Sequence, residues 1–194
     1  MFELRKGNVV PFPDELKEEY ELNDNEIIAN VSSSKIEMIL AEFISMNQEE
    51  PVFFILEVPS NEADEREAGK LHKDVYYIDG CSANEALTIL DKTIKVLRND
   101  GLCNFGFGCH ESHDEIMFCK YNVTIIYSND TNKYISLFEE HQIKRTQKLI
   151  TAWDTFTANM PGESRRIETD GKDIYSIIED LKEWNIYKAE QREE

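Results

Sequence analysis

The chain has 194 residues, with 39 acidic and 21 basic side chains and a formal net charge of −18. That balance disfavours nucleic acid and anionic membranes as partners, because both need a basic footprint. It points instead to a basic protein, since like charge in this excess opposes compaction and is not needed for solubility. Apolar residues make up 41% of the chain, with 10 Phe, 8 Tyr and 2 Trp, enough to bury a core and argue against disorder. The longest apolar run, Val52-Phe53-Phe54-Ile55-Leu56, is strand-sized, so no transmembrane helix is expected. The opening Met1-Phe2-Glu3-Leu4-Arg5-Lys6 lacks the apolar stretch of a signal peptide, which reads as a cytoplasmic protein.

In chain order, Pro13-Asp14-Glu15-Leu16 predicts a short helix start, a proline followed by acids that suit the positive end of the helix dipole. Ile36, Ile39, Leu40, Phe43 and Ile44 have helical spacing, with Ser33 or Ser34 as N-cap. Val52 to Val58 predicts a buried strand closed by Pro59, and Asn61 to Gly69 an acidic loop or short helix. Asp74 to Asp79 predicts a second strand ending at Gly80. Ser82-Ala83-Asn84-Glu85 is a capping box opening a helix through Leu87, Leu90, Ile94 and Leu97, stopped by Gly101.

Leu102 to Phe107, Ile116 to Lys120 and Val123 to Tyr127 predict an antiparallel meander, with Tyr121-Asn122 as a tight turn. Asp130 would cap a helix through Tyr134, Leu137 and Phe138. Arg165 to Thr169 predicts a short strand before an Asp170-Gly171 turn, and Asp173 caps a last helix over Ile174, Ile177, Ile178 and Leu181. The tail from Glu190 to Glu194 is expected to fray. Helices and strands mix without βαβ alternation. The fold expected is therefore a single α+β domain with a mostly antiparallel sheet, residues 1–30 forming a polar N-terminal appendage.

Two stretches hold most of the charge. Pro13–Glu26 contains seven acids against Lys17 alone, and Glu49–Glu67 contains seven against Arg66 alone, so each nets −6. Either is a solvated face or a docking surface for a cationic protein, which would speed encounter and add specificity. A third patch, His110-Glu111-Ser112-His113-Asp114-Glu115, lies in the β-rich half.

That patch also suggests chemistry. His110 and His113 with a neighbouring thiol or carboxylate would suit a small hydrolase or metalloprotein, although the histidines are three apart and not the four of H-E-x-x-H. A polar turn between strands is the plainer reading. Cys81, Cys103, Cys109 and Cys119 contain no C-x-x-C pair and read as buried reduced thiols. Gly106-Phe107-Gly108 is too short for a phosphate loop. Trp153 and Phe156 fit core anchors or an aromatic contact patch rimmed by acid. No catalytic residue, metal or cofactor is expected.

The stretch Phe105-Gly106-Phe107-Gly108-Cys109-His110-Glu111-Ser112-His113-Asp114-Glu115-Ile116, with Leu149-Ile150-Thr151-Ala152-Trp153-Asp154-Thr155-Phe156 downstream, resembles small acidic bacterial immunity proteins encoded beside polymorphic toxins. The resemblance covers the second half of the chain. It implies a cytoplasmic inhibitor that binds a cognate toxin domain, often a basic nuclease, and it carries no shared catalytic residues. The residues expected to touch that partner are Glu18, Glu19, Asp64, Glu65, Glu67, Glu111, Asp114, Glu115 and Trp153. An adaptor domain for an unrelated basic protein fits the same charge, and nothing in the sequence sets an oligomeric state.

Overall fold

The computed structural model describes residues 2–61 and 71–193. A nine-stranded sheet is its frame, in the order β11-β5-β4-β6-β7-β8-β3-β2-β9. These strands are β2 (Glu19–Leu22), β3 (Glu26–Asn30), β4 (Val52–Pro59), β5 (His72–Cys81), β6 (Asn104–Cys109), β7 (Glu115–Phe118), β8 (Val123–Tyr127), β9 (Lys144–Arg145) and β11 (Tyr187–Glu193). Every pairing is antiparallel except β2 with β9. A small second ribbon joins β1 (Asn8–Val9) to β10 (Glu163–Ser164). The class is α+β with a mostly antiparallel sheet, as the residue pattern predicts.

Strand alternation sorts the side chains onto two faces. Ile27, Phe54, Leu56, Phe105, Phe107, Ile116, Phe118 and Ile126 point into the main core. There they meet α1 (Ile36–Met46), α2 (Ala83–Leu97), α3 (Ile135–Glu139) and α5 (Ile174–Asp180). A separate apolar row of Phe53, Ile55, Val75 and Met117, with Tyr77 and Cys119 beside it, contains no helix residue. This second face carries the site described below.

Several local expectations hold. The Ser82 hydroxyl accepts from Glu85 N at 3.4 Å while Glu85 Oε2 accepts from Ser82 N at 2.8 Å, closing the capping box that opens α2. Asp173 accepts from Tyr175 N and Ser176 N at the start of α5. The meander β6–β7–β8 forms, and Tyr121 and Asn122 turn the chain with φ of 58° and 63°. Asp170 and Gly171 make the expected turn at positive φ.

Others are corrected. The described part of residues 1–30 belongs to the domain and is not an appendage: β2 and β3 lie in the sheet, and Arg5 is 1% exposed, its Nη1 donating to Cys103 O at 2.9 Å. Ser33 and Ser34 do not cap α1. A 3₁₀ turn over Ser33–Lys35 leads into it, and Glu3 O takes the Ser33 N–H at 2.8 Å. Pro59 ends β4 from within, and β5 runs through Gly80 to Cys81. Asp130 makes no side-chain cap, since a 3₁₀ turn over Thr131–Tyr134 precedes α3. Arg165 to Thr169 is not a strand, although Thr169 and Lys172 bridge across the turn. Within the expected fraying tail, Glu190 to Glu193 are held in place, since β11 pairs with β5 from Tyr187 to Glu193, and Glu194 lies outside the described residues. Asn61 is described, but the acidic segment 62–70 lies outside the described residues.

Gly108 lets the Phe53 ring lie over β6 on the second face, and Gly106 lets β7 approach β6 closely. A methyl on Gly108 would collide with the Phe53 ring, and one on Gly106 with the Ile116 carbonyl oxygen. Replacing Gly106 by Ala should therefore destabilise the protein by about 1–3 kcal/mol, as overpacking does. The urea midpoint measures this, and an unchanged midpoint would show that β6 and β7 are not so closely apposed.

Candidate functional site

Register builds the site. Phe53, Gly108, Glu115 and Tyr127 are consecutive cross-strand neighbours on β4, β6, β7 and β8. Tyr77 and Tyr187 pair on β5 and β11, their rings stacked at 6.4 Å. Except for Gly108, these residues line a cleft of about 480 Å³ together with Asp79, Cys109, His110, His113 and Asp114. The Phe53 ring lies 5.6 Å from Tyr77 and 4.7 Å from His110. A neighbouring hollow of about 200 Å³ continues over Ile55, Glu57, Met117, Ile125 and Arg192, and Glu115, Tyr77 and Tyr127 line both.

The acids of this face differ in how they are satisfied. Burial raises Asp79, but hydrogen bonds from Tyr187 and His110 outweigh it and hold the carboxyl below its ordinary value. His110 Nε2 lies 2.9 Å from Asp79 Oδ1, and the Tyr187 hydroxyl donates to Oδ2. Glu57 accepts from Asn104 Nδ2 at 2.7 Å and from Arg192 Nη1 at 3.0 Å. Glu115 is different. Among the described residues no hydrogen bond or ion pair reaches its carboxylate. Burial pushes it above the ordinary value and nearby Glu57 adds to the rise, while Arg192 counters only in part.

The other expected contact residues are scattered. Glu18 is committed internally, bonding Lys35 Nζ at 2.9 Å and Ser32 N at 3.2 Å. Glu19 is half-buried on β2 opposite Lys144. Glu111 is exposed in the β6–β7 turn. Asp64, Glu65 and Glu67 lie outside the described residues. Trp153 is 54% exposed, but far from the strand row: its ring meets Tyr121 edge-on at 4.9 Å and Phe156 at 5.4 Å, on α4 (Ala152–Thr155).

Asp114 is corrected. It is 4% exposed and holds the fold together instead of offering charge outward. Its carboxylate accepts from Ser128 Oγ at 2.6 Å, Tyr134 Oη at 2.7 Å and Lys133 Nζ at 3.0 Å. Burial raises its pKa, yet these bonds together hold it below the ordinary value.

The four thiols are free, three buried and Cys119 half-buried. Burial above all pushes Cys81 and Cys119 up to about 11 and Cys109 to about 12, so they stay protonated at neutral pH and are poor nucleophiles. His110 and His113 share the cleft, but among the described residues no three His, Cys, Asp or Glu side chains converge as metal ligands would. Sequence reasoning missed Phe53, Tyr77, Asp79, Tyr127 and Tyr187. The Tyr77-Ile78-Asp79 alternation was the available signal, since positions two apart share a strand face.

No family model, curated protein or solved structure matches the chain.

The two adjacent acids should behave oppositely. Asp114 is depressed, so its contribution to stability is present above the unfolded-state pKa and is lost as pH falls through the folded value. Asp114→Asn should cost about 1–3 kcal/mol at neutral pH and flatten the fall of stability in acid. Glu115 is raised, so its ionisation costs stability as pH rises; Glu115→Gln should leave neutral-pH stability unchanged or higher. Urea unfolding of both variants across pH 3–7 checks this (roughly the carboxylate range). A large loss in Glu115→Gln would contradict the assignment.

Proposed function

We propose that the chain is a cytoplasmic bacterial immunity protein, a non-enzymatic inhibitor that binds and neutralises a cognate basic, nuclease-like toxin domain. The observation that carries this is Glu115: a carboxylate without a partner among the described residues, set between aromatic walls on a chain of net charge −18. An ionised side chain held this way costs the isolated protein stability, and a cationic partner would recover that cost on binding. The aromatic rings supply the apolar contact area that interface centres use. The acids of Pro13–Glu26 and Glu49–Glu67 widen the negative field that steers encounter. Raised thiol pKa values and the absence of converging metal ligands among the described residues give the hydrolase and metalloprotein reading no support.

The test pairs this chain with the C-terminal domain of a large secreted protein encoded beside it. Co-expression should protect growth, and the purified proteins should form a stable complex. The association rate should fall at least about tenfold between about 50 and about 500 mM NaCl. Changing Asp64 to Asn together with Glu65 and Glu67 to Gln should slow it further. A complex without growth protection would make the chain an adaptor, and salt-insensitive association would remove the electrostatic argument.

A further inference from the structure

We infer that the Phe53–Tyr77–Tyr127–Tyr187 cleft is an arginine socket: it takes one arginine side chain of the partner, with the guanidinium on Glu115. The inference rests on the reading that the partner is a basic protein, and adds which of its groups is bound and where.

Three observations on this face converge. The first is the lone carboxylate. Glu57 and Glu115 line the same hollow, but Glu57 is satisfied by Asn104 and Arg192 while Glu115 has no partner among the described residues. The second is the chain's own precedent. Arg192 reaches in from β11 to line this hollow beside Tyr77, donating from Nη1 to Glu57 at 3.0 Å and from Nε to Glu190 at 2.8 Å. A guanidinium is thus already held on this face by carboxylates beside a tyrosine ring, and Glu115 beside Tyr127 repeats those side-chain types with no guanidinium bonded to it among the described residues. The third is shape. Phe53 and Tyr77 form a tilted pair at 5.6 Å, and Tyr127 and Tyr187 are 44% and 47% exposed at the rim. Aromatic faces around a carboxylate favour a cation through ring electrostatics as well as charge.

Arginine fits better than lysine. Its guanidinium is planar, stacks on rings, offers a fork of donors to a carboxylate and is more weakly hydrated than an ammonium group. Lysine's compact ammonium would gain less from the rings and lose more on leaving water. The other groups at the cleft leave Glu115 as the available acid. Asp79 is held by Tyr187 and His110, and Asp114 by Ser128, Tyr134 and Lys133.

The test needs no partner protein. N-acetyl-arginine methylamide is titrated into the full chain while the aromatic and carboxyl NMR signals are followed. The same titration uses the lysine amide and the neutral citrulline amide, which keeps the shape of arginine without its charge. The expected result is saturable shifts at Phe53, Tyr77, Tyr127 and Glu115 with the arginine probe, weaker ones with lysine and none with citrulline. Binding should weaken at least about tenfold in Glu115→Gln, whose otherwise unchanged spectrum reports an intact fold. Equal binding of citrulline, equal or tighter binding of lysine, unchanged binding in Glu115→Gln, or shifts spread over all the acidic residues would each overturn the socket. Such a failure would leave the inhibitory role standing, because growth protection judges that separately. Loss of protection with the socket intact would remove the role and keep the socket.

Discussion

The antiparallel register of β4, β6, β7 and β8 is the constraint on which the rest depends. Because side chains alternate strictly, the pairing that sends Phe54, Phe107, Ile116 and Ile126 toward the helices also sends Phe53, Glu115 and Tyr127 the other way. A slip of one residue would expose the core row and bury the acid. Gly108 fills the remaining place in the second row, and its missing side chain is the space that the Phe53 ring occupies. The stability of the core thus fixes the geometry of the cleft: the helices hold one face, and the aromatic cleft opens on the other.

The excess of acid is less of a surface than the total suggests. Glu18 bonds Lys35, Glu21 accepts from Leu149 N, and Glu50 accepts from Ser112 N. Asp74 pairs with Lys188, and Asp100 accepts from Leu102 N, Cys103 N and Ile167 N. These carboxylates tie loops and strands together. Against that background Glu115 stands out by what it lacks. A protein that satisfies so many of its half-buried acids, and leaves Glu115 between aromatic rings without a bonded partner among the described residues, has placed that cost where a ligand can recover it.

How much was legible follows from how local each signal is. The capping box at Ser82 and the turn at Tyr121-Asn122 need only neighbours within a few positions, and both were readable. The strands β2 and β3 were hidden because acids on one face mask the alternation of Tyr20, Leu22, Ile27 and Ala29 on the other. The strand β11 was unreadable for a different reason: its seven residues are all exposed, and the ladder with β5 holds them in place. Asp114 looked like part of a polar turn, yet its partners Ser128, Lys133 and Tyr134 come from 14 to 20 residues downstream. Glu115 was singled out for its charge. That it faces an aromatic cleft, with no bond to any described residue, depends on four strands meeting in one register, which composition does not encode.

The most direct measurement is a carboxyl-detected NMR titration that resolves individual glutamates and aspartates in the free protein. Glu115 should titrate above the exposed glutamates, and its neighbour Asp114 below the ordinary aspartate value. A Glu115 that titrates with or below the exposed glutamates would mean that its charge is already satisfied within the chain, and would contradict the central claim.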